Sequence, residues 1–545
     1  MRLSTSLSLP YLAVAAGSLV LAACGGGGSN TPGVQTPTPT TPTPPPVVPP
    51  PVVAAPYTIS PATLTMKYVA GYPVTFFAKA TQTTPFVGVV YIKMVADQNV
   101  IDSVEIKTNA DGSINASLNT SGTVAAGHYA GNLTINVCKD VNCTAQLEGA
   151  PFKVPYVIDV ASPAGSLTTA NLSSLVPLAG AGDWSGYQAN AAHTGLVPVT
   201  LNPSTFKLRW TYETPAANGS LGSISDISTG NGHVYFGTGT YWNNNTAGHQ
   251  LLALKEQDGS QAWNHDFGNL RYASTNPPTY ANGKVYLSAG SQESTAMFGF
   301  DAASGAQLFS TPTAAQWPTY LAPVVYGGGL YSNGGRYGGM YAFDAITGVE
   351  KWFASLTQVD GWAPAVDANN TYIYLNGEFI VTDRLTGNPV GKIAGSNSGW
   401  QNGVTPLLGA VNSAIVADSN ALSAFDISAL RVRWKVDGSF HTGPAYGDKQ
   451  VYVLRDQPLA LEVRNETDGS LAWSWKAPAT VDQWLGNVVL TNNLVFVSSD
   501  NTTYAIDRSS HASVWTYPAG GKLSLSANGV LYINTQSSIV AINVK

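Results

Sequence analysis

A pattern of apolar and polar positions recurs along the C-terminal two thirds of the chain. Each copy contains a strand rich in β-branched and aromatic residues, such as Val234–Phe236 or Val451–Val453. An apolar pair follows, and then an acidic or amide residue, a turn that usually ends in Gly, and an aromatic residue four positions later. The clearest copy runs from Ala342 to Gly348, with Trp352 after the turn. The pattern predicts short antiparallel strands joined by tight turns.

The spacing of the copies predicts how these strands are grouped. The turn residues, 39 to 46 residues apart, are Gly259, Gly305, Gly348, Gly387, Leu430, Gly469 and His511. The positions four residues later are Trp263, Phe309, Trp352, Gly391, Trp434, Trp473 and Trp515. A period of this size suits four short strands with their connections, which is one blade of a β-propeller.

The two ends of the repeat region predict how the ring closes. The eighth copy stops at Val540–Lys545 without its turn and its aromatic residue. An unaccompanied segment, Leu208–Tyr212, carries Trp210 and has the composition of the missing outer strand. We therefore expect this N-terminal strand to complete the last blade, giving an all-β, eight-bladed propeller with no open edge at the join.

The repeat has a specific family resemblance. The pattern Ala-Phe-Asp-Ala-x-Thr-Gly-x-x-x-Trp from Ala342 to Trp352 resembles the tryptophan-docking repeat of the pyrroloquinoline-quinone-type propellers. Asp183-Trp184 and His193–Gly195 resemble their lead-in, so the resemblance covers roughly residues 180–545. That superfamily includes quinone-dependent dehydrogenases and cofactor-free propellers such as the lipoprotein subunit of the outer-membrane barrel-assembly machinery.

The resemblance also implies a role for the repeated aromatic residues. In such propellers they pack one blade against the next, so they report the fold and not an activity. The implied blade-docking residues are Trp210, Trp263, Phe309, Trp352, Trp434, Trp473 and Trp515.

The N-terminus has the features of a lipoprotein signal peptide over residues 1–23. Leu21–Ala23 followed by Cys24 resembles the box at which bacterial lipoproteins are cleaved and acylated, whereas a plain secretory signal is the alternative. We expect Cys24 to carry the lipid, and Gly25 after it favours the outer membrane. Residues 24–56 are rich in Gly, Pro and Thr and form a predicted extended tether that reaches on the order of 80 Å.

Residues 57–163 form a predicted immunoglobulin-like sandwich, because alternating strands recur about every ten residues between Gly and Asn turns. Residues 164–179 are a linker, and the propeller takes up 180–545. Cys138 and Cys143 flank a hairpin-like turn, and in an oxidising compartment they predict a disulfide. A zinc site is the alternative, but no second Cys pair completes one.

Composition narrows the possible functions. Charged residues make up 11% of the chain and the formal net charge is -6, without the basic stripe that binds nucleic acid. The seven His residues show no metal-ligand spacing, and the propeller region contains no Cys. The acidic and amide ligands of calcium in quinone dehydrogenases also find no match here. These features favour a protein that is not an enzyme and needs no cofactor; a dehydrogenase using pyrroloquinoline quinone with calcium is the alternative.

A second aromatic series lies in the connections that precede the first strand of several blades. In a propeller these connections ring one mouth of the central channel, where aromatic faces and polar groups bind peptides or glycans. The candidate rim residues are Tyr272, Trp317, Tyr320, Trp362, Trp400, His441 and Trp484. If the four tryptophans surround the channel mouth, they should be partly exposed. The alternative is that each aromatic residue fills its own blade interface.

Together these features predict a lipid-anchored binding or scaffold propeller of the bacterial envelope. It would engage an envelope protein or a glycan through one rim, as a monomer or as a subunit of a complex. The lipid would hold it at the outer membrane, on the periplasmic face or at the cell surface. A surface adhesin, with the sandwich as a spacer, is a further alternative.

Overall fold

The computed structural model describes residues 54–545 except 72, 84–87, 110, 163–164, 216–222, 240–248, 269–273, 292–293, 315–320, 335–338, 358–360, 395–403 and 411. The chain divides into two compact units. One holds the described residues up to Leu64, Thr75–Asn119 and Ala130–Val157, and the other holds Thr65–Val74, Thr120–Tyr129 and Ile158–Lys545. The domain boundaries inferred from the sequence stay predictions. The described part of the chain has no helix that is long and apolar enough to cross a membrane.

Between residues 57 and 161 the described chain forms two four-stranded sheets, with the orders β1-β3-β6-β5 and β2-β8-β7-β4. Their strands are β1 (Tyr57–Ser60), β2 (Leu64–Val69), β3 (Thr75–Gln82), β4 (Tyr91–Ala96), β5 (Ile101–Thr108), β6 (Ile114–Thr120), β7 (Gly127–Cys138) and β8 (Phe152–Ala161). Alternate residues of β6 and β8 are buried, as the sequence alternation predicts. The immunoglobulin-like assignment stays a prediction. Cys138 and Cys143 lie at disulfide-bonding distance, with their Cα atoms 4.9 Å apart.

From residue 166 onward the described chain forms eight further sheets, seven of them following one another along the sequence. The strands up to residue 355 are β9 (Ser166–Thr169), β10 (Lys207–Glu213), β11 (Ser228–Gly230), β12 (His233–Thr238), β13 (Gln250–Lys255), β14 (Gln261–Asp266), β15 (Ser274–Thr275), β16 (Thr279–Ala281), β17 (Lys284–Gly290), β18 (Thr295–Asp301), β19 (Gln307–Thr313), β20 (Val324–Tyr326), β21 (Gly329–Asn333), β22 (Gly339–Asp344) and β23 (Glu350–Ser355). The sheets among them are β11-β12-β13-β14, β15-β17-β18-β19 with β16 also on β17, and β20-β21-β22-β23.

The remaining strands continue the same meander. They are β24 (Ala365–Val366), β25 (Asn370–Leu375), β26 (Glu378–Asp383), β27 (Pro389–Ala394), β28 (Leu407–Leu408), β29 (Ser413–Ala417), β30 (Ala421–Asp426), β31 (Arg431–Asp437), β32 (Ala445–Gly447), β33 (Gln450–Asp456), β34 (Leu459–Asn465), β35 (Leu471–Lys476), β36 (Val489–Leu490), β37 (Leu494–Ser498), β38 (Thr503–Asp507), β39 (Ser513–Tyr517), β40 (Lys522–Leu525), β41 (Val530–Asn534) and β42 (Ser538–Asn543). The sheets are β24–β27, β28–β31, β32–β35 and β36–β39, each in chain order. The fold is therefore all-β, and the two short 3-10 turns are Tyr187–Ala189 and Pro203–Thr205.

The last sheet joins the two ends of this region, in the order β40-β41-β42-β10-β9. Strand β10 pairs antiparallel with β42 over Lys207–Glu213, which confirms the predicted closure. Buried Arg209 fastens the join, because its guanidinium donates to the Asn543 side chain at 2.8 Å and to the Glu256 carbonyl at 3.0 Å. Strand β9, exposed at all four residues, adds a fifth strand outside β10.

The repeated turn Gly and the repeated aromatic residue recur together because they are in contact with each other. A Cβ atom added to Gly387 would come within 2.6 Å of the Trp352 ring, and the backbone there has φ +72°. The same contact joins Gly259 to Trp210, Gly305 to Trp263, Gly348 to Phe309 and Gly469 to Trp434. Each aromatic residue of one sheet thus lies on the turn of the next, where only Gly leaves room. The docking role implied for these five aromatics agrees with their packing.

Where the repeat changes at one position, it changes at the partner position too. Gly391 replaces the aromatic residue, and the facing turn residue is Leu430, whose side chain comes within 2.6 Å of a Cβ atom built on Gly391. His511 replaces the turn Gly, and its ring stacks on Trp473 at 4.2 Å between centroids. Trp515 instead contacts Phe206, at 5.3 Å. The apparent exceptions are therefore complementary pairs.

The docking tryptophans also satisfy a backbone carbonyl in the next turn. The indole N–H of Trp352 donates to the Arg384 carbonyl at 3.1 Å, and Trp210, Trp263 and Trp434 donate at equivalent positions. Phe309 has no donor, and there the Tyr286 hydroxyl reaches the Ala345 carbonyl at 2.7 Å. The turn carbonyl is thus hydrogen-bonded whether the docking residue is Trp or Phe.

The acidic residue of the repeat shapes the turn itself. One Asp344 carboxylate oxygen accepts hydrogen bonds from the backbone N–H groups of Ile346 and Thr347, both at 3.0 Å. These bonds, with the Lys351 ammonium 3.0 Å away, hold the pKa of Asp344 well below its usual range. The repeated acid is thus a turn-forming residue and is not free for chemistry.

Candidate functional site

The segment 183–199, here called the lead-in, runs along the innermost strands of the sheets. Its carbonyls accept hydrogen bonds from six of the eight sheets. The donor and acceptor pairs are Thr229 to Trp184, Tyr280 to Ser185, Val366 to Ala191, Leu408 to Ala192, Tyr446 to Thr194 and Leu490 to Gly195. Six sheets therefore hold one continuous segment on the channel side of the ring. No exposed edge remains on the inner strands at these positions.

The lead-in can follow this path because several of its residues adopt left-handed backbone. Gln188, Ala189, His193 and Gly195 have φ values of 48°, 72°, 57° and 60°. At Gly195 a Cβ atom would approach the Gln188 amide nitrogen at 2.8 Å and the Val488 carbonyl at 2.9 Å. Glycine is therefore required where the lead-in turns back on itself. The sequence motif His193–Gly195 encodes this turn.

Gln188 fixes the centre of the lead-in. Its side-chain nitrogen donates to the carbonyls of Gly443, Pro444 and Val488 at 2.9, 2.6 and 3.2 Å, and its oxygen accepts from Asn487. The residue is only 3% exposed. A fully satisfied buried amide specifies one arrangement of its surroundings. Sequence reasoning missed Gln188, because a lone glutamine in a loop carries no signal of its later partners.

His193 is buried beside the same centre. Its Nδ1 lies 2.8 Å from the Pro406 carbonyl, and its ring meets Tyr187 edge-on at 5.2 Å. The other ring nitrogen, Nε2, has no hydrogen-bond partner among the residues that the structure describes. Burial lowers the pKa of His193 to about 4, and the hydrogen bond to Pro406 offsets only part of that effect. The imidazole is therefore neutral at pH 7, with the proton on Nδ1.

We expect His193 to make the fold sensitive to acid. The pKa of His193 is 6.5 in the unfolded chain and about 4 in the folded protein. Its contribution to the stability of the fold is therefore fully present above pH 6.5 and is lost as the pH falls to 4. The loss is on the order of 3 kcal/mol in the free energy of unfolding. His193→Asn keeps a donor toward Pro406 and tolerates the left-handed backbone, so the variant should lose less stability between pH 7 and pH 4. Urea unfolding at several pH values measures this difference, and equal losses in both proteins would contradict the assignment.

A small cavity of about 60 Å³ lies beside the lead-in, where residues at or just before the innermost strands of the first sheet and of the last three sheets line it. It is lined by Tyr187, Asp226, His441, Asn487 and Lys522, among others. The Lys522 ammonium lies 2.5 Å from the Asp226 carboxylate, so these two charges compensate each other. A space of this size holds one or two water molecules.

His441 is the described rim residue that faces this cavity. Its backbone N–H donates to the Leu454 carbonyl at 2.8 Å, and its Nδ1 lies 3.6 Å from the Asp456 carboxylate. The contact with His441 holds the pKa of Asp456 below its usual range. His441 is half-buried.

Two of the other rim candidates do not lie where the sequence predicted. Trp362 is 1% exposed and Trp484 is 3% exposed, so the expectation of partial exposure is wrong for both. The Trp484 indole N–H donates to the Arg455 carbonyl at 2.9 Å, and the ring packs against Val481 and Val488. Trp362 packs among Val324, Met340 and Ile373 of the neighbouring sheets. Each fills a sheet interface, which was the alternative interpretation.

The remaining candidates, Tyr272, Trp317, Tyr320 and Trp400, lie outside the described residues, as does Cys24. Their place at the rim stays a prediction. Within the described ranges, no group of three His, Cys, Asp or Glu side chains comes together in a way that could hold a metal ion.

The docking pairs, the ring closure and the lead-in define a β-propeller of the pyrroloquinoline-quinone-like repeat class. A family model described as outer membrane protein assembly factor BamB matches residues 193–373 and 375–540. This chain belongs to that family. A comparison with curated proteins finds no match.

Several solved structures match this chain at low sequence identity. BamB from Moraxella catarrhalis is 14% identical, with a TM-score of 0.47 over 63% of this chain and 98% of that chain. Hydrazine synthase from Kuenenia stuttgartiensis is 14% identical, with a TM-score of 0.35 over 48% and 93%. The Pan2 WD40 domain from Neurospora crassa is 9% identical, with a TM-score of 0.36 over 59% and 89%.

Proposed function

We propose that this chain is a lipid-anchored, non-catalytic binding propeller of the bacterial outer membrane that holds a protein partner through one rim. The family's description as an outer membrane protein assembly factor supports an envelope protein as the partner over a glycan. The predicted signal peptide, lipidated Cys24 and extended tether support attachment to a membrane with the folded region held away from it. The chain then acts as a subunit of a larger assembly.

The path of the lead-in is the observation that carries this proposal. Its main chain lies along the inner strands of six sheets, and Gln188 joins it to Gly443, Pro444 and Val488. The two cavities that line it measure about 60 and 230 Å³. Sites that enclose a cofactor-sized ligand usually measure roughly 300 to 1,000 Å³. Neither of these two cavities reaches that size, and we take this as support for binding at a rim over catalysis at the axis.

The rim can be tested against the buried tryptophans as matched controls. We expect Trp317→Ala combined with Trp400→Ala to reduce capture of envelope proteins at least tenfold while the melting temperature stays close to that of the parent. Trp362→Ala and Trp484→Ala should instead lower the stability by about 3 to 5 kcal/mol each, because large-to-small changes at buried sites leave cavities. Cross-linking in intact cells, followed by quantitative mass spectrometry, measures the capture.

The two sets of variants separate the outcomes. Unchanged capture by a stable Trp317/Trp400 double variant would contradict the rim as the binding surface. Severe unfolding of that variant would place both tryptophans in the core.

A further inference from the structure

A larger cavity, of about 230 Å³, lies on the other side of Tyr187 and carries an inference that goes beyond the rim function. Its lining includes Asp183, Ser185, Tyr187, Asn190, Thr279 and Tyr280. Thr279 and Tyr280 belong to β16, just before the turn that leads into β17. The described rim candidates, Trp362, His441 and Trp484, are not among the residues that line it.

Three polar side chains around the cavity, Ser185, Asn190 and Thr279, are already paired within the protein. Ser185 donates to the Ala189 carbonyl at 2.7 Å, and Thr279 donates to the Pro323 carbonyl. The Asn190 oxygen accepts from the backbone of Ala192 at 3.1 Å, and its nitrogen donates to Thr194 at 2.7 Å. The Asp183 carboxylate, in contrast, has neither a hydrogen-bond donor nor a cation among the residues that the structure describes.

The surroundings of Asp183 disfavour the ionised form of its carboxyl group. Burial raises the pKa of Asp183 to about 6, and the nearby Glu256 carboxylate adds to the effect. Glu256 has partners of its own, since it accepts hydrogen bonds from Asn528 and, at 2.9 Å, from Tyr532. An uncompensated, half-buried negative charge is therefore confined to Asp183, and a bound cation would neutralise it.

The cavity also offers aromatic surface beside the charge. The Tyr280 ring stacks on Tyr235 with centroids 5.9 Å apart and planes within 6°. Tyr187 also lines the cavity, and no hydrogen bond to its hydroxyl is found among the described residues. One carboxylate with aromatic rings favours an organic cation, because cations are attracted to ring faces and a metal ion needs more oxygen ligands than this.

We propose that the Asp183 cavity binds the head group of an organic cation, a guanidinium or a primary ammonium. Asp183 forms the ion pair, Tyr280 and Tyr187 flank the head group, and the cavity admits a short alkyl stem. Such a cation is presented by a small amine or by an Arg or Lys side chain of a polypeptide.

Calorimetry with the purified full-length protein tests this site. The probes are propylguanidinium, its neutral counterpart propylurea, and the capped peptide Gly-Gly-Arg-Gly-Gly. We expect propylguanidinium to bind at least tenfold more tightly than propylurea, and Asp183→Asn to lose that preference. Glu378→Gln removes the same charge from an exposed site paired with Lys392, so it should bind like the parent.

The pH dependence of the unmodified protein gives a second measurement that needs no variant. With a pKa of about 6 for Asp183, binding of propylguanidinium should weaken by about tenfold from pH 7 to pH 5. The other groups that face Asp183 are Glu256, Tyr235 and Tyr280; His193 meets Tyr187 and has a pKa of about 4. Burial raises the pKa of Glu256 as well, and the Asp183→Asn variant, which retains Glu256, shows how much binding Glu256 supports alone.

The peptide distinguishes the source of the cation. Binding of both the peptide and propylguanidinium, dependent on Asp183, supports a basic side chain of a partner, whereas binding of propylguanidinium alone supports a small amine. Equal binding of propylguanidinium and propylurea, or full binding to Asp183→Asn, overturns the proposal. None of these results depends on the rim tryptophans, so the two proposals fail separately.

Discussion

Removing either strand at the join of the ring should abolish cooperative folding of the propeller. Strand β10 pairs with β42 along Lys207–Glu213, and four β42 residues, Ile539 to Ile542, are at most 6% exposed. Deletion of residues 207–212 exposes these side chains, and truncation after Asn534 removes them together with β42. Either change leaves two unpaired edges. The expected loss exceeds the total stability of a typical domain, about 5 to 15 kcal/mol. Thermal unfolding followed by near-ultraviolet circular dichroism measures it.

A deletion of equal length gives the control. Removing residues 38–43 shortens the predicted tether by six residues without touching a described strand, so the melting temperature should not change. If the protein without β10 melts cooperatively at the parent temperature, the two strands do not close the ring.

The second large effect is expected where a docking aromatic residue packs on the turn Gly of the next sheet, which we call a docking joint. Trp352→Ala should cost about 3 to 5 kcal/mol, because the ring is 9% exposed and fills the space above Gly387. Trp352→Phe should cost only about 1 to 2 kcal/mol, since it keeps most of the contact and loses the hydrogen bond to the Arg384 carbonyl. Phe309, docked on Gly348, shows that the joint accepts a phenyl ring.

The reversed pair at Gly391 and Leu430 offers an independent check of the same joint. Gly391→Trp should be destabilising alone, because the Leu430 side chain already occupies that space. Leu430→Gly should relieve the clash and suits the backbone φ of 48° there, so the double variant should be more stable than Gly391→Trp. Urea unfolding of the single and double variants measures the coupling, and purely additive losses would contradict the docking geometry.

These joints show why much of the fold could be predicted. The turn Gly and the aromatic residue lie four positions apart in each copy, so both can be recognised in a short stretch of sequence. In the structure, the aromatic residue of one copy packs on the turn Gly of the next copy. Closure could be inferred because the final copy lacked an outer strand and Leu208–Tyr212 was left over. Local patterns of this kind predict the fold because alternate residues of a strand point to the same face of the sheet, which determines which side chains can come into contact.

The site was predicted less well, for a physical reason. Trp484 and the docking tryptophans are the same residue type, and only the structure shows that the Trp484 indole N–H reaches the buried Arg455 carbonyl. Gln188 meets Gly443 and Val488, about 255 and 300 residues away, and no local pattern encodes such partners. The lead-in motif at Asp183 and His193 was recognisable, but its path along the channel depends on all the sheets that it contacts.

Native mass spectrometry of the protein extracted from its own host tests the lipid anchor and the binding role together. We predict a mature chain that begins at Cys24, carries acyl groups, and leaves the membrane with at least one bound polypeptide. The same spectrum should show no quinone mass, and Cys24→Ser should appear in the soluble fraction, correctly folded. An unacylated N-terminus in membrane-bound protein, or pyrroloquinoline quinone bound at one molecule per chain, would contradict a lipid-anchored, non-catalytic propeller.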